Sequence, residues 1–330
     1  MKKFFLSFVL CLCGALTAFA QNSLLATLSH DGAVSTFYGA KALQEAHAAA
    51  TNGDIITLSS GTFLSTDITK AITLRGAGMQ VDTLRGTLPT ILSGNFNIAV
   101  SDTLSNRLTI EGIYNNDRVC VRGILKNAMI LKSRFKEWNT TNNAADIMRN
   151  VSFIHCRVTG SLYGYNGSTY SCMGCYLNDV DNVVDVSVEL TNCVINRARQ
   201  MMGMTAANCI FKCYGNGLFY NSSAVAYNCV AFGQADYFKN VPNQTNKVVE
   251  NAAAIFKTFT GTYSEEENFE LTESAKAAYL GMDGTQVGIH GGSLPFDATP
   301  SNPQITKCNV AAKSTADGKL SVDITVNAAE

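Results

Sequence analysis

Three basic side chains alternate along one short stretch, Lys132, Arg134 and Lys136 in LKSRFK. His155 and Arg157 stand one repeat later, and Tyr176 one repeat beyond them. Side chains two apart share a face of an extended strand, so this spacing gathers basic groups and a phenol on neighbouring strands. A guanidinium holds a carboxylate through two parallel hydrogen bonds. The chemistry this favours is recognition of an anionic ligand, and the competing reading is an ordinary solvated face that happens to be basic.

Other residue sets point to weaker chemistry. Asp179, Asp181 and Asp185 in LNDVDNVVD could gather around calcium, which takes clustered oxygen ligands, although a solvated acidic turn is the better account of them. Trp138, Tyr163, Tyr165 and Tyr170 offer flat faces on which sugar rings stack; local packing is the other use for them. Cys172 and Cys175 form a CxxC with no βαβ pattern around it, which disfavours redox or metal chemistry. His30, His47 and His290 are far apart in sequence, so no metal ligand set is visible and no resident cofactor is expected. No nucleophile-elbow motif supports Ser/His/Asp catalysis, and Gly76 and Gly78 in LRGAG suit a turn.

The elements that must carry these groups repeat. VSFIHCRVT, YSCMGCYLN, VELTNCVIN, MTAANCIFK and AVAYNCVAF align on Cys156, Cys175, Cys193, Cys209 and Cys229, at steps of 19, 18, 16 and 20 residues. Ser133 and Gly112 extend the series backward. Residues two after the anchor (Phe135, Val158, Leu177, Ile195, Phe211, Ala231) and two before it (Ile110, Leu131, Ile154, Met173, Thr191, Ala207, Tyr227) are mostly apolar, so period two predicts all of them inside. A step near 20 residues fits three short strands and their turns, which is the signature of a stacked solenoid. The cysteines then form an inward packing ladder of free thiols, and Asn192, Asn208 and Asn228 form a second column that supports a turn or an outer face. Val194, Ile210 and Val230 would form an outward apolar column needing a cover, from the tail or from a protein partner at the C-terminal end.

An apolar stripe of Ala42, Leu43, Ala46, Ala49 and Ala50, ended by Asn52-Gly53, predicts a helix that caps the first coil. The stretch ALQEAHAAATNGDIITLSSGTFLSTDITKAITLRGAG resembles the opening of pectate-lyase-like right-handed parallel β-helix proteins. ESAKAAYLGMDGTQVGIHGG resembles the last coils of the same superfamily, and the whole looks most like exported β-helix proteins of gut-type bacteria. The resemblance implies an all-β, right-handed parallel β-helix and a polymeric uronate ligand on an outer sheet face. For a lyase it also implies a basic side chain that removes a proton beside a carboxylate, with Lys132, Arg134 or Arg157 standing in, and calcium only in that case. The paired aspartates of related hydrolases and the motifs of pectin esterases are absent.

The start, MKKFFLSFVLCLCGALTAFAQN, reads as a signal peptide over residues 1–20 with cleavage before Gln21. It predicts an exported, periplasmic or extracellular protein. Loss of Lys2 and Lys3 takes the net charge from −1 to −3, so no basic field points to nucleic acid, and no segment is long enough to span a membrane. Residues 21–294 are assigned to the β-helix with its cap. SLPFDATPSNPQ begins a proline-rich linker and β-hairpin tail over 295–330. The function expected first is non-catalytic binding of anionic polysaccharide or a surface interaction, then a uronate lyase acting by β-elimination, then a purely structural role.

Overall fold

A computed structural model describes residues 24–327 except 84–85, 101–106, 142, 166, 183–184, 200–202, 213–223, 234–236, 239–240, 242–244, 265, 311–312 and 316. The signal peptide expected over 1–20 lies outside the described residues. The chain is a parallel β-solenoid of about 8 turns, 46% strand and 7% helix. Each coil adds a short strand to one 11-stranded sheet, turns a corner, and adds a second strand to another 11-stranded sheet. Ile55–Leu58, Thr73–Arg75 and Thr109–Glu111 begin the first sheet; Gly61–Leu64 and Thr90–Ser93 begin the second. The third strand expected per coil is regular only where Ile124–Lys126 pairs with Ile147–Arg149, among the described residues.

The corner overturns part of the expected face pattern. Residues two after the anchor do stack in register, as in Phe135 on Val158 and Leu177 on Ile195, and they are buried. Residues two before the anchor face outward, and Met173 is 38% exposed. Three before it, Ile130, Phe153, Cys172, Leu190, Ala206 and Ala226 fill the interior. Ile110 pairs with Ile130 and belongs to that inner set. The cause is a single residue before each anchor with positive φ: Lys132, His155, Gly174, Asn192, Asn208 and Asn228, at 45° to 58°. One left-handed residue breaks the period of two, so inside and outside exchange on one arm of the repeat. Asparagine and glycine suit that conformation, which costs other residues about 1–2 kcal/mol. The asparagine column is therefore a corner; Asn208 Nδ2 reaches Asn192 Oδ1 at 3.4 Å.

The anchor has a task beyond packing. Past the corner, the anchor's own N–H needs an acceptor inside the core. Cys156 N donates to Cys175 Sγ at 3.3 Å, Cys193 N to Cys209 Sγ and Cys209 N to Cys229 Sγ, both at 3.4 Å. Earlier in the column Ile113 N donates to Ser133 Oγ at 3.2 Å, and the last rung is closed by Cys229 N on Asn246 Oδ1 at 2.9 Å. Each thiol in turn donates to a carbonyl, as Cys229 does to Tyr227 O. Cys120, Cys156, Cys172, Cys175, Cys193, Cys209 and Cys229 are free and buried. Burial pushes the thiols of Cys172, Cys193 and Cys209 well up, away from the reactive thiolate.

The helix Ala42–Ala49 covers the first coil through Ala42, Leu43, Ala46 and His47; Ala49, expected inside, is exposed and His47 takes its place. Two strands not expected from the sequence, Leu25–His30 and Ala33–Tyr38, pair antiparallel and close the first sheet against Ile55–Leu58. Their Asp31-Gly32 turn, with φ of 47° and 81°, is the signal that reveals them.

The stretch likened to the last coils does not coil. After Lys247–Val249 the chain reverses and runs back along the corner as a strap. Met282 N bonds Asn208, Gly288 O accepts from Asn192, and Leu294 O lies 3.1 Å from His155 Nε2. Farther on, Asp297 meets Lys132, Ser301 meets Glu111 and Asn302 meets the carbonyl of Gly76. The apolar column does have its cover: Val194, Ile210 and Val230 lie with Phe256, Phe269, Leu271, Val287 and Ile289 in one buried cluster, and Phe296 packs at its edge. The hairpin Gln304–Val310 with Val322–Asn327 pairs only with itself, and Leu320, Val322 and Val326 are half exposed.

Candidate functional site

Arg134, Arg157 and Tyr176 stack in register on the outer side of the second sheet, as their spacing predicts. The strap and neighbouring rings cover them. Arg134 is 8% exposed and lies over the ring of Tyr114 at 4.6 Å. Arg157, 6% exposed, lies over Phe296 at 5.2 Å and donates to Glu267 O at 3.0 Å. Tyr176 stacks with Tyr263 and Phe269, at centroid distances of 4.5 and 4.6 Å, and burial pushes its phenol up. Lys132 Nζ meets Asp297 Oδ2 at 2.9 Å and Thr299 O at 2.6 Å. Of the six residues only Lys136 is exposed. The open basic face read from the repeat is thus the seat of the strap, whose contacting residues lie 87 to 167 positions away and beyond the reach of periodicity.

His155 makes this seat sensitive to acid. It donates from Nε2 to Leu294 O, and Asp297 N donates to its Nδ1 at 3.4 Å, so the bonded ring is neutral. Burial, then the charge of Lys132, hold its pKa below the ordinary 6.5. The unfolded chain therefore takes up this proton at a higher pH than the folded one, and stability falls as pH drops below about 6.5. His155→Asn keeps a residue suited to the corner. Melting temperatures between pH 7.5 and 5 should fall less steeply for this variant than for the natural chain; parallel curves would exclude His155 as the sensor.

Farther along the same strands lies an open groove of about 490 Å³. A bulge makes it: register shifts after Phe135 and after Val158, and strands Ile113–Val121, Arg134–Thr140 and Arg157–Gly164 run on beyond the shift. Gly160 is required there, since a Cβ would lie 2.5 Å from Lys136 O. Past the bulge Trp138 turns inward, fully buried between Phe135 and Phe153. Tyr170 is buried as well, so neither ring is available for stacking on a sugar. Tyr163 and Tyr165 are half-buried on the groove wall, with ring centroids 5.9 Å apart.

Arg118 and Arg122 complete the groove, with side chains 59% and 51% exposed. Arg118 Nε donates to Glu137 Oε2 at 3.2 Å, and Arg122 Nε to Asn97 Oδ1 at 3.1 Å. Cys120, Asn139 and Ser161 also line it. Searches against protein-family models, curated proteins and solved structures find no match to this chain. Its chemistry is therefore read from these side chains alone. The alternation Arg118, Cys120, Arg122 in DRVCVRG has the same period as Lys132, Arg134 and Lys136, and that period was the available signal. It lies past the bulge, where the anchor no longer fixes inside and outside.

The acidic stretch is rearranged too. Asp179 and Asp181 stand on the strand Tyr176–Asn182, not in a turn, and buried Asp179 pairs with Arg197. No group of three or more potential metal ligands forms among the described residues.

Proposed function

We propose that this is an exported β-solenoid protein that binds an acidic polysaccharide along the groove, without a chemical step. The observation that carries the reading is the meeting, across three successive coils, of two half-exposed arginines on one side of the Arg134–Thr140 strand with two tilted tyrosines on the other, in one open channel. The guanidiniums would meet carboxylates and the rings would stack on pyranose faces. Glu137 and Asn97 orient the two guanidiniums while leaving them accessible. Resemblance to pectate-lyase-like proteins supports uronate as the acid. For the lyase alternative, the arginines offered as base are covered by the strap and ring contacts, and Lys132 is engaged by Asp297.

Binding of polygalacturonate or alginate by calorimetry should weaken at least tenfold in Arg118→Ala/Arg122→Ala. Melting should fall only modestly: the exposed Arg118–Glu137 pair contributes about 0–1 kcal/mol, and buried Asp146, the 3.6 Å ion partner of Arg122, keeps its bonds from Gly123 N and Thr141 Oγ1. The difference should shrink in high salt. Tyr163→Ala/Tyr165→Ala should weaken binding in any salt. Equal binding by the natural chain and both variants would remove the groove as the site, and growth of unsaturated-product absorbance on incubation would restore the lyase.

A further inference from the structure

A second recess, about 380 Å³, opens between the strap and the loop after the Thr73–Arg75 strand. Arg157 forms part of its wall, at the opposite end of the strand that carries Ser161 and Tyr163 into the groove. This guanidinium is 6% exposed, and its buried Nε has no hydrogen-bond partner. Among the described residues no carboxylate lies within ion-pair distance of it; its partners are one carbonyl, Glu267 O, and the face of Phe296. A buried charge so incompletely matched is costly. An unpaired buried donor at a cavity wall marks the place of a missing partner.

The other wall groups fit a hydroxylated acid. His290 donates from Nε2 to Asn268 O at 2.6 Å, which leaves Nδ1 as an acceptor for a ligand hydroxyl. Asn268 and Thr87 add neutral polar groups, and Phe296 an apolar face. Two carboxylates are present. Asp297 is engaged by Lys132, and Asp82 stands on the loop side of the wall. The volume is at the small end of ligand pockets.

We infer that this recess is a binding site for a monosaccharide-sized hydroxy acid, a uronic acid, held by its carboxylate on Arg157 and a hydroxyl on His290. The site is separate from the groove and does not depend on it. The ligand would complete the seat of the strap, so binding should also raise the melting temperature.

The probes are sodium glucuronate and sodium galacturonate, with glucose as the neutral control, read by ligand-observed NMR and by thermal shift on the full chain. The natural protein should bind one or both acids and bind glucose at least tenfold more weakly. Arg157→Gln should lose the preference for acid. Because that change also disturbs the strap, Ala298→Trp serves as a second variant: it fills the recess while leaving Arg157 and its contacts in place, and on the Arg118→Ala/Arg122→Ala background it should abolish binding. Arg118→Ala/Arg122→Ala, which lacks the carboxylate partners of the groove, should still bind these monosaccharides and still gain melting temperature from them, which separates failure here from failure of the groove. No binding of either acid, equal binding of glucose, or undiminished binding by Ala298→Trp would each overturn the site.

Discussion

A chain ending at residue 251 should not accumulate as folded, soluble protein, whereas a chain ending at residue 303 should melt within a few degrees of the whole. The first truncation removes the strap and uncovers Tyr176, Val194, Ile210, Val230 and Phe232, all at most 5% exposed. At about 1.5–3 kcal/mol for each fully buried side chain, five of them amount to roughly 8–15 kcal/mol, the size of a whole domain's stability. The second truncation removes only the hairpin, which pairs with itself. A chain ending at residue 293 should lie between. It loses seven hydrogen bonds, to His155, Lys132, Glu111 and Gly76, each contributing about 0.5–1.5 kcal/mol. Solubility, melting and hydrophobic-dye binding of the three chains measure the ranking. A soluble, fully cooperative chain ending at 251 would show that the coils stand without the strap.

The strap also explains which parts of this protein the sequence discloses. Coil period, inner columns and capping helix are local or strictly repeated, and Phe135, Val158 and Leu177 could be aligned by counting from Ser133, Cys156 and Cys175. Counting fails wherever one residue takes an exceptional conformation. The left-handed corner at His155 and Asn192 reverses inside and outside for Ile154 and Thr191, and the register shift between Phe135 and Glu137 hides the alignment of Arg118 with Glu137. It fails again where a non-repeating segment covers a repeating one. Lys132 and His155 read as ligands because they are polar residues at an outward step. In the structure they occupy corner positions where asparagine and glycine fit better, and they do so because Asp297, Thr299 and Leu294 hold them there. The apolar column at Val194 did announce that something must cover it, since three coils of outward aliphatic residues would otherwise face water. Nothing in the column names the segment that does.

Substituting one rung of the thiol ladder should rank serine above alanine, the reverse of the order hydrophobicity gives. In Cys209→Ala the amide of Cys193 loses its acceptor inside a closed core, and the removed sulfur leaves a small void. An orphaned buried N–H costs about 1–3 kcal/mol, before the void is counted. Cys209→Ser keeps an acceptor and a donor at nearly the same place, as Ser133 does for Ile113 N one end of the column away. Its hydroxyl can go on donating to Ala207 O, the partner of the present thiol, so no polar group is left unmatched. Serine's loss should therefore be the smaller, about 1 kcal/mol or less beyond the shorter reach of oxygen. Extending alanine to Cys193, Cys209 and Cys229 leaves the acceptors of Cys209 N and Cys193 N missing together, and the losses should accumulate, while the triple serine variant should remain folded. Urea unfolding of the single and triple variants measures the order. If alanine equals or exceeds serine at Cys209, the column is a packing device alone, and its hydrogen bonds to the backbone contribute nothing to the fold.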